Sequence, residues 1–489
     1  MTRATIKSGT ANILNTIIGA GILAMPYGLR QNGLLFGSIL IAWSACTSAF
    51  GLYLQNKVAR YTGQRGSVSY FSLAQVTYPQ LSIVFDTAIS IKCFGVGVSY
   101  LVVIGDLMPK IMESLEVSPD SFLMGRNFWI TVIMATVVAP LSFLKKLSSL
   151  RNTSILSLFS IAYLICLVIG NYAARAAAEG NHSGTVIPIP AKQTDWIGPI
   201  SWERTLSSFP MFVFSYTCHQ NMFAIINELQ PDEKDGSQTR QSNFIIWNAL
   251  LTASASYLLV AVFGYLTFGR QVSADIITMY SPNSISTLIG NLSIVIMSSL
   301  SFPLQCHPCR GSVNHVIYFI KKGVKNSKLR KELARQRHYG CIEGGDLSAA
   351  ASDVESLNSF SGANNLESSI ISTTPMEGAH DTLGHAPIIV PLSTRRFYII
   401  TTVIVILAYL VALSVTSLAM VLAFVGSLGS TSIAFILPGL FGYLLMKPLE
   451  PRTKLNNLER FCKYGGLALA IWGFVVMVTC LTATIFQGA

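Results

Sequence analysis

Apolar runs of about 20 residues recur along nearly the whole chain, and each is long enough to cross a hydrocarbon core of ~30 Å. Only 12% of the 489 residues are charged, too few to clothe a water-soluble protein of this size. The mean hydropathy is +0.51. A membrane β-barrel would show alternating segments of about 10 residues instead. The fold class expected is therefore an all-α polytopic membrane protein. Spans are predicted near residues 6–29, 34–54, 81–108, 128–144, 154–174, 205–229, 244–268, 285–306, 397–415, 418–446 and 465–486, about eleven in all.

The formal net charge of +11 is explained by topology, without a nucleic-acid partner. Twenty-six of the 34 Lys and Arg residues fall on the side that holds the N-terminus. Seven lie opposite (Arg30, Lys110, Arg126, Arg175, Lys192, Arg204 and Arg270), and Lys92 is inside a span. The positive-inside rule then predicts a cytosolic N-terminus and a lumenal C-terminus. Met1-Thr2-Arg3-Ala4 leads straight into the first span, so no cleavable signal peptide is expected. None of the nine cysteines lies well inside a non-cytosolic loop, which argues against a disulfide framework. Asn181-His182-Ser183 is a candidate glycosylation site in the longest non-cytosolic loop. Asn152 and Asn291 match the same pattern where a glycosyltransferase should not reach.

The first span breaks in its own middle, at Gly19-Ala20-Gly21. Irregular backbone at membrane depth is tolerated only inside protein or around a cavity. The sixth span has a matching interruption, Ser215-Tyr216-Thr217-Cys218-His219-Gln220, with Pro210 one to two turns earlier. Paired interruptions in corresponding segments point to a transporter binding site. Spans one to five and six to ten then form a 5+5 inverted repeat, because an odd repeat starts its second half from the opposite side. The eleventh span is an addition. Residues 1–174 hold spans one to five, 175–204 a lumenal loop and 205–320 spans six to eight. A cytosolic loop at 321–394, basic and then rich in Ser, Ala, Asn and acidic residues, is expected to be disordered. Residues 395–446 hold spans nine and ten, and 447–489 a cytosolic turn and span eleven.

The breaks suggest the chemistry. Backbone N–H groups freed from Gly19 through Ala20 and Gly21 to Ile22 form a positive helix end suited to a carboxylate. Freed carbonyls at both breaks can accept from an ammonium, so a small zwitterion satisfies the site. A glycine-permitted kink for packing is the alternative. Asn12, Asn15, Thr16 and Gly19 make one polar stripe on the first half-helix, serving either interhelical hydrogen bonds or a cavity wall. Asn15, next to the break, is a candidate cation ligand. Lys92, about ten residues into span three, either snorkels or faces a cavity. His219 and His307 are candidate proton carriers, with satisfied buried imidazoles the bland reading. Asp86, Asp106 and Glu228 sit near span edges. Cys306-His307-Pro308-Cys309 lacks the second pair that tetrahedral zinc needs. The chain shows no P-loop, no GxSxG in a strand–turn–helix setting and no HExxH. No enzyme activity or cofactor is expected, and uphill transport has to be driven by a gradient.

Gly19 to Pro26, Phe94 to Tyr100, Ser215 to Phe223, Phe302 to Pro308, Gly426 to Thr431 and Ile436-Leu437-Pro438 together resemble the signature segments of the amino acid/auxin permease family. The short N-terminus and the long loop after span eight look most like its fungal vacuolar amino-acid transporters of the export group. The resemblance implies a leucine-transporter type of fold with substrate at the breaks of spans one and six, where Gly19, Ala20, Gly21, Ile22, Ser215, Tyr216 and Thr217 are the candidates. It implies a vacuolar location, proton coupling and neutral substrates such as glutamine or proline. Sodium-coupled relatives use an Asn in span one and a hydroxyl in span eight, for which Asn15 and Ser301 are the nearest matches. The competing expectation is a non-transporting amino-acid sensor that signals through its cytosolic loop.

Overall fold

The computed structural model describes residues 5–59, 68–78, 81–144, 151–180, 194–229, 239–340, 392–446 and 455–488. The described residues form helices joined by short irregular connections, with no sheet. In order the helices are α1 (Ile6–Ile17), α2 (Gly21–Asn32), α3 (Leu34–Ala59), α4 (Tyr70–Thr77), α5 (Ser82–Ser114), α6 (Arg126–Ser142) and α7 (Arg151–Gly180). There follow α8 (Trp202–Ser215), α9 (His219–Glu228), α10 (Thr239–Phe268), α11 (Ile285–Gly340), α12 (Thr394–Ser414), α13 (Leu418–Leu445) and α14 (Asn457–Gly488). Eight of them are long and apolar enough to cross a membrane, or nine with α1 and α2 as one span bent by 51°. The predicted fourth and sixth spans fall below that test. One is the shorter α6, and the other is the interrupted pair α8 and α9.

Burial separates the inside of the bundle from its rim. The most apolar window of α5 is 78% buried, against 33% for α14. At the rim, Ile399, Val403, Ile406 and Leu410 of α12 form an exposed stripe at helical spacing. So wide an apolar face belongs against lipid rather than water. Further in, α5 and α11 run along each other, and α10 lies against α1, α2 and α3. Span ten bends into π-helical turns at Gly426–Ser430 and Ser432–Ile436. There a Cβ on Gly426 would stand 2.1 Å from the Pro210 carbonyl oxygen, and one on Gly429 2.7 Å from Lys92 Cβ. Two glycines thus let span ten touch the backbones of spans six and three.

One expectation about connections changes. The basic run from Lys321 to Arg337 lies in α11, which continues to Gly340 rather than ending in disorder. Its Lys, Arg, Leu, Ala and Glu residues are strong helix formers and outnumber the weaker Gly323, Val324, Asn326 and Ser327. Residues 341–391 lie outside the described residues, as does Asn181. Before α8, residues 195–200 lie along the start of α3. Leu34 and Leu35 donate to the Asp195 and Trp196 carbonyls at 2.9 Å. Gly33, at φ +78°, makes that approach possible, since a Cβ there would meet the Gly198 carbonyl oxygen at 2.5 Å. Arg270 pairs with Asp195, donating from Nε at 2.8 Å. That bond holds the Asp195 carboxyl below the usual carboxylate range.

Candidate functional site

The two breaks meet in the interior. A Cβ on Gly21 would stand 2.2 Å from Ser215 Oγ and 3.2 Å from Ser215 Cα, so only glycine lets the halves touch. Gly19, Ala20, Gly21, Ile22, Ser215, Tyr216 and Thr217 are all buried. On the other side, Gly19 faces Tyr100, whose hydroxyl would stand 2.8 Å from an added Cβ. Tyr100 in turn lies near Ser301 of α11. Ser301 is therefore close to the first break through one tyrosine.

The polar groups at the breaks are allotted differently from the sequence expectation. Of the amides expected to be free, Gly19 donates to Ile17 O at 3.0 Å and Ile22 to Gly19 O at 3.2 Å. The amides of Ala20 and Gly21 take part in neither turn bond. The Ser215 and Thr217 hydroxyls turn back to the Met211 and Val213 carbonyls of their own helix, at 2.8 and 2.6 Å. The carbonyls expected to await an ammonium have a donor already. The Tyr257 hydroxyl of α10 stands 2.7 Å from Ile17 O and 2.9 Å from Ser215 O. Its ring meets Tyr216 edge-on at 5.1 Å, and Tyr216 donates to Ser254 Oγ at 3.1 Å. A hydroxyl has one proton, so the two carbonyls share it.

The second break also carries unmet polar groups. His219 is fully buried, and among the described residues neither of its ring nitrogens has a hydrogen-bond partner. The same holds for both amide atoms of Gln220. His219 lies against Gly51 of α3. There Ser44, Ser48, Gly51 and Gln55 share one buried face at helical spacing, a polar stripe whose i, i+4, i+7, i+11 signal stands in the sequence. Gln55 reaches the Tyr70 hydroxyl of α4.

Lys92 lies 2% exposed in the same region, with Cys93, Cys218 and His219 as its electrostatic neighbours. At that burial its side chain does not reach the surface of the bundle. His307 is exposed on the outer face of α11, whereas Cys306 and Cys309 are buried, so it stands apart from the breaks. Along α1, Asn12 is exposed, Asn15 and Thr16 are half-buried and Gly19 is buried. The stripe descends from the surface into the break. Thr16 accepts from Asn221 Nδ2 of α9 at 2.9 Å, tying the two broken spans together.

Comparisons with known proteins point to one family. The family model described as transmembrane amino acid transporter protein matches residues 2–479. Vacuolar amino acid transporter 6 of Saccharomyces cerevisiae is 40% identical over 484 residues, 99% of each chain. Vacuolar amino acid transporter 5 of the same yeast is 38% identical over 494 residues, covering 99% of this chain and 98% of its own. A third relative, vacuolar amino acid transporter 5 of Schizosaccharomyces pombe, is 43% identical over 315 residues, 64% of this chain and 70% of its own.

Proposed function

The chain belongs to the transmembrane amino acid transporter family, and on that premise we propose that it carries neutral amino acids, glutamine and proline among them, across the vacuolar membrane. The direction proposed is from lumen to cytosol with protons, by alternating access around spans one and six. In this reading α6 and the α8–α9 pair are spans, which makes eleven in a 5+5 inverted repeat plus one. The N-terminus is cytosolic and the C-terminus lumenal.

One observation carries the reading: the breaks of spans one and six touch at Gly21 and Ser215, with a shared tyrosine proton on their carbonyls. An α-ammonium has three donors where Tyr257 has one. The α2 helix start, with the Ala20 and Gly21 amides, suits the carboxylate. The interior disfavours a cationic side chain, since no Asp or Glu lies between Ile6 and Leu29 or between Thr205 and Asn227 to pair with it. His219, Lys92, Asn15 and Ser301 are the residues proposed for proton or cation coupling.

Labelled glutamine and proline flux in proteoliposomes, with and without an imposed pH gradient, tests this. Flux that follows the gradient in wild type and falls at least about tenfold in Gly21→Leu is expected, since the added side chain has no room beside Ser215. Saturable binding without flux would instead establish a sensor.

A further inference from the structure

The segment joining α10 to α11 is folded into one mouth of the bundle. Val272, Ile276 and Ile277 are fully buried and hold it against α2 and α5. Asp275 lies between them, 4% exposed. Its amide donates to Ser273 Oγ at 3.1 Å, and its carbonyl accepts from the Thr278 hydroxyl at 2.7 Å. Its two carboxylate oxygens are buried, with no side-chain donor among the described residues and only a loosely placed backbone donor, the Ile277 amide, nearby. Asp275 lines a cavity of about 420 Å³ with Tyr27, Arg30, Asp106, Thr278 and Ser417. All of these come from one end of the bundle, the end that the charge bias makes non-cytosolic.

The charged neighbours do not supply the missing partner. Arg30 of α2 lies over the Tyr27 ring at 5.5 Å and donates to the Val272 carbonyl at 2.9 Å. Asp106 of α5 is held by Arg126 of α6 at 3.0 Å. The turn between α12 and α13 contributes only uncharged Thr416 and Ser417 to the cavity. Arg270 is paired with Asp195. A carboxylate enclosed this way is costly when charged and cheap when neutral. Burial, helped by the Asp106 charge, pushes the Asp275 carboxyl up to about 8, while the nearby Ile277 amide opposes the shift.

We propose that Asp275 is a proton-binding residue at the non-cytosolic mouth, and that protonation there is the condition for the α10–α11 segment to seat in the bundle. When the segment lifts, the carboxyl is hydrated and returns to the ordinary range of about 3.9. Seating therefore takes up a proton. Between about pH 4 and about pH 8 the seated population falls up to tenfold for each pH unit of rise, and outside that window it is flat. The acidic side of a vacuolar membrane would favour the seated mouth.

The test uses the full chain in proteoliposomes. Its transport arm rests on the alternating-access reading, and its hydrogen-exchange arm does not. Amino-acid exchange is measured at equal pH on both sides, from 5.5 to 8.5, in wild type, Asp275→Asn and Asp106→Asn. The expected result is wild-type exchange that falls with rising pH and a flat profile for Asp275→Asn. In Asp106→Asn the upper knee should move to lower pH, because a charge that opposes ionisation of Asp275 is gone. In parallel, amide protection of residues 269–284 in wild type, divided by that in Asp275→Asn, should fall at least tenfold between pH 5.5 and 8. Asp275→Asn keeping the wild-type profile, or a protection ratio that does not change, overturns the proposal. No exchange in wild type at any pH sinks the carrier reading instead, and the protection ratio still decides the proposal. Should Asp275→Asn neither bind nor exchange amino acid, loss of wild-type protection with pH supports the proposal and its constancy overturns it.

Discussion

Tyr257 is the residue that neither break can be understood without. Its hydroxyl serves main-chain oxygens 240 and 42 positions away, and in the sequence it is one more aromatic in an apolar run. Both breaks were legible from their small and polar residues. Their tie was not, because no spacing rule connects a span-seven hydroxyl to carbonyls of spans one and six. Replacing Tyr257 with Phe keeps the ring and leaves two buried carbonyls short of a donor, at a cost of about 1–3 kcal/mol. The variant should fold with a lower Tm. Its KM for amino acid should change more than its kcat, since the ammonium would then meet acceptors with no competitor. A KM within twofold of wild type would remove Tyr257 from the site. Lys92 shows the opposite limit of sequence reading. Its depth in a span was plain, but whether it snorkels depends on how fully α5 is enclosed, which only the packing decides.

At the level of elements, the spans were legible because their length and hydropathy are local properties, whereas the connections depend on contacts far along the chain. The α10–α11 segment reads as an ordinary loop until Ile276 and Ile277 find a place inside the bundle. Arg126 shows how such contacts hold an end. Its three donors reach Asp106 and the Ala412 and Val415 carbonyls at 3.0, 3.1 and 2.9 Å. These carbonyls close the C-terminus of α12, where the helix dipole favours a cation. Arg126→Gln should lower stability by about 1–3 kcal/mol, read as a lower Tm in detergent, because Asp106 and two carbonyls lose their donor together. In the Arg126→Gln/Asp106→Asn pair the losses should be less than additive. Additive losses would show that the contact adds nothing. In span ten, Gly429→Ala places a methyl 2.7 Å from Lys92 Cβ. It should cost about 1–3 kcal/mol through overpacking, seen as a loss of thermal stability larger than that of Gly311→Ala, where an added Cβ meets nothing within 4 Å.

For the molecule as a whole, the raised Asp275 carboxyl also makes a prediction about stability. The group binds its proton more tightly in the folded protein, at about 8, than in the unfolded chain, at about 3.9. Folding is therefore penalised progressively as pH rises from about 4 to about 8, and the penalty is absent below that window. Asp275→Asn should raise Tm at pH 8 and leave it nearly unchanged at pH 4. An equal shift at both values would trace the effect to packing. Fold class followed from composition, and the helical bundle and the family match to residues 2–479 agree with it. The mouth was hidden because its acid lies in a connection rather than a span. The shared tyrosine proton also bears on how such a machine turns over. When the site is empty its carbonyls are already served, so an incoming ammonium replaces a neutral donor instead of filling a void. The net gain is the difference between a charged and a neutral hydrogen bond, about 1 kcal/mol. That exchange adds little to affinity, so the ammonium is held weakly. A carrier built this way is hard to saturate and quick to let go. Under the proposed lumen-to-cytosol direction it would act as an overflow valve, releasing stores in proportion to their abundance.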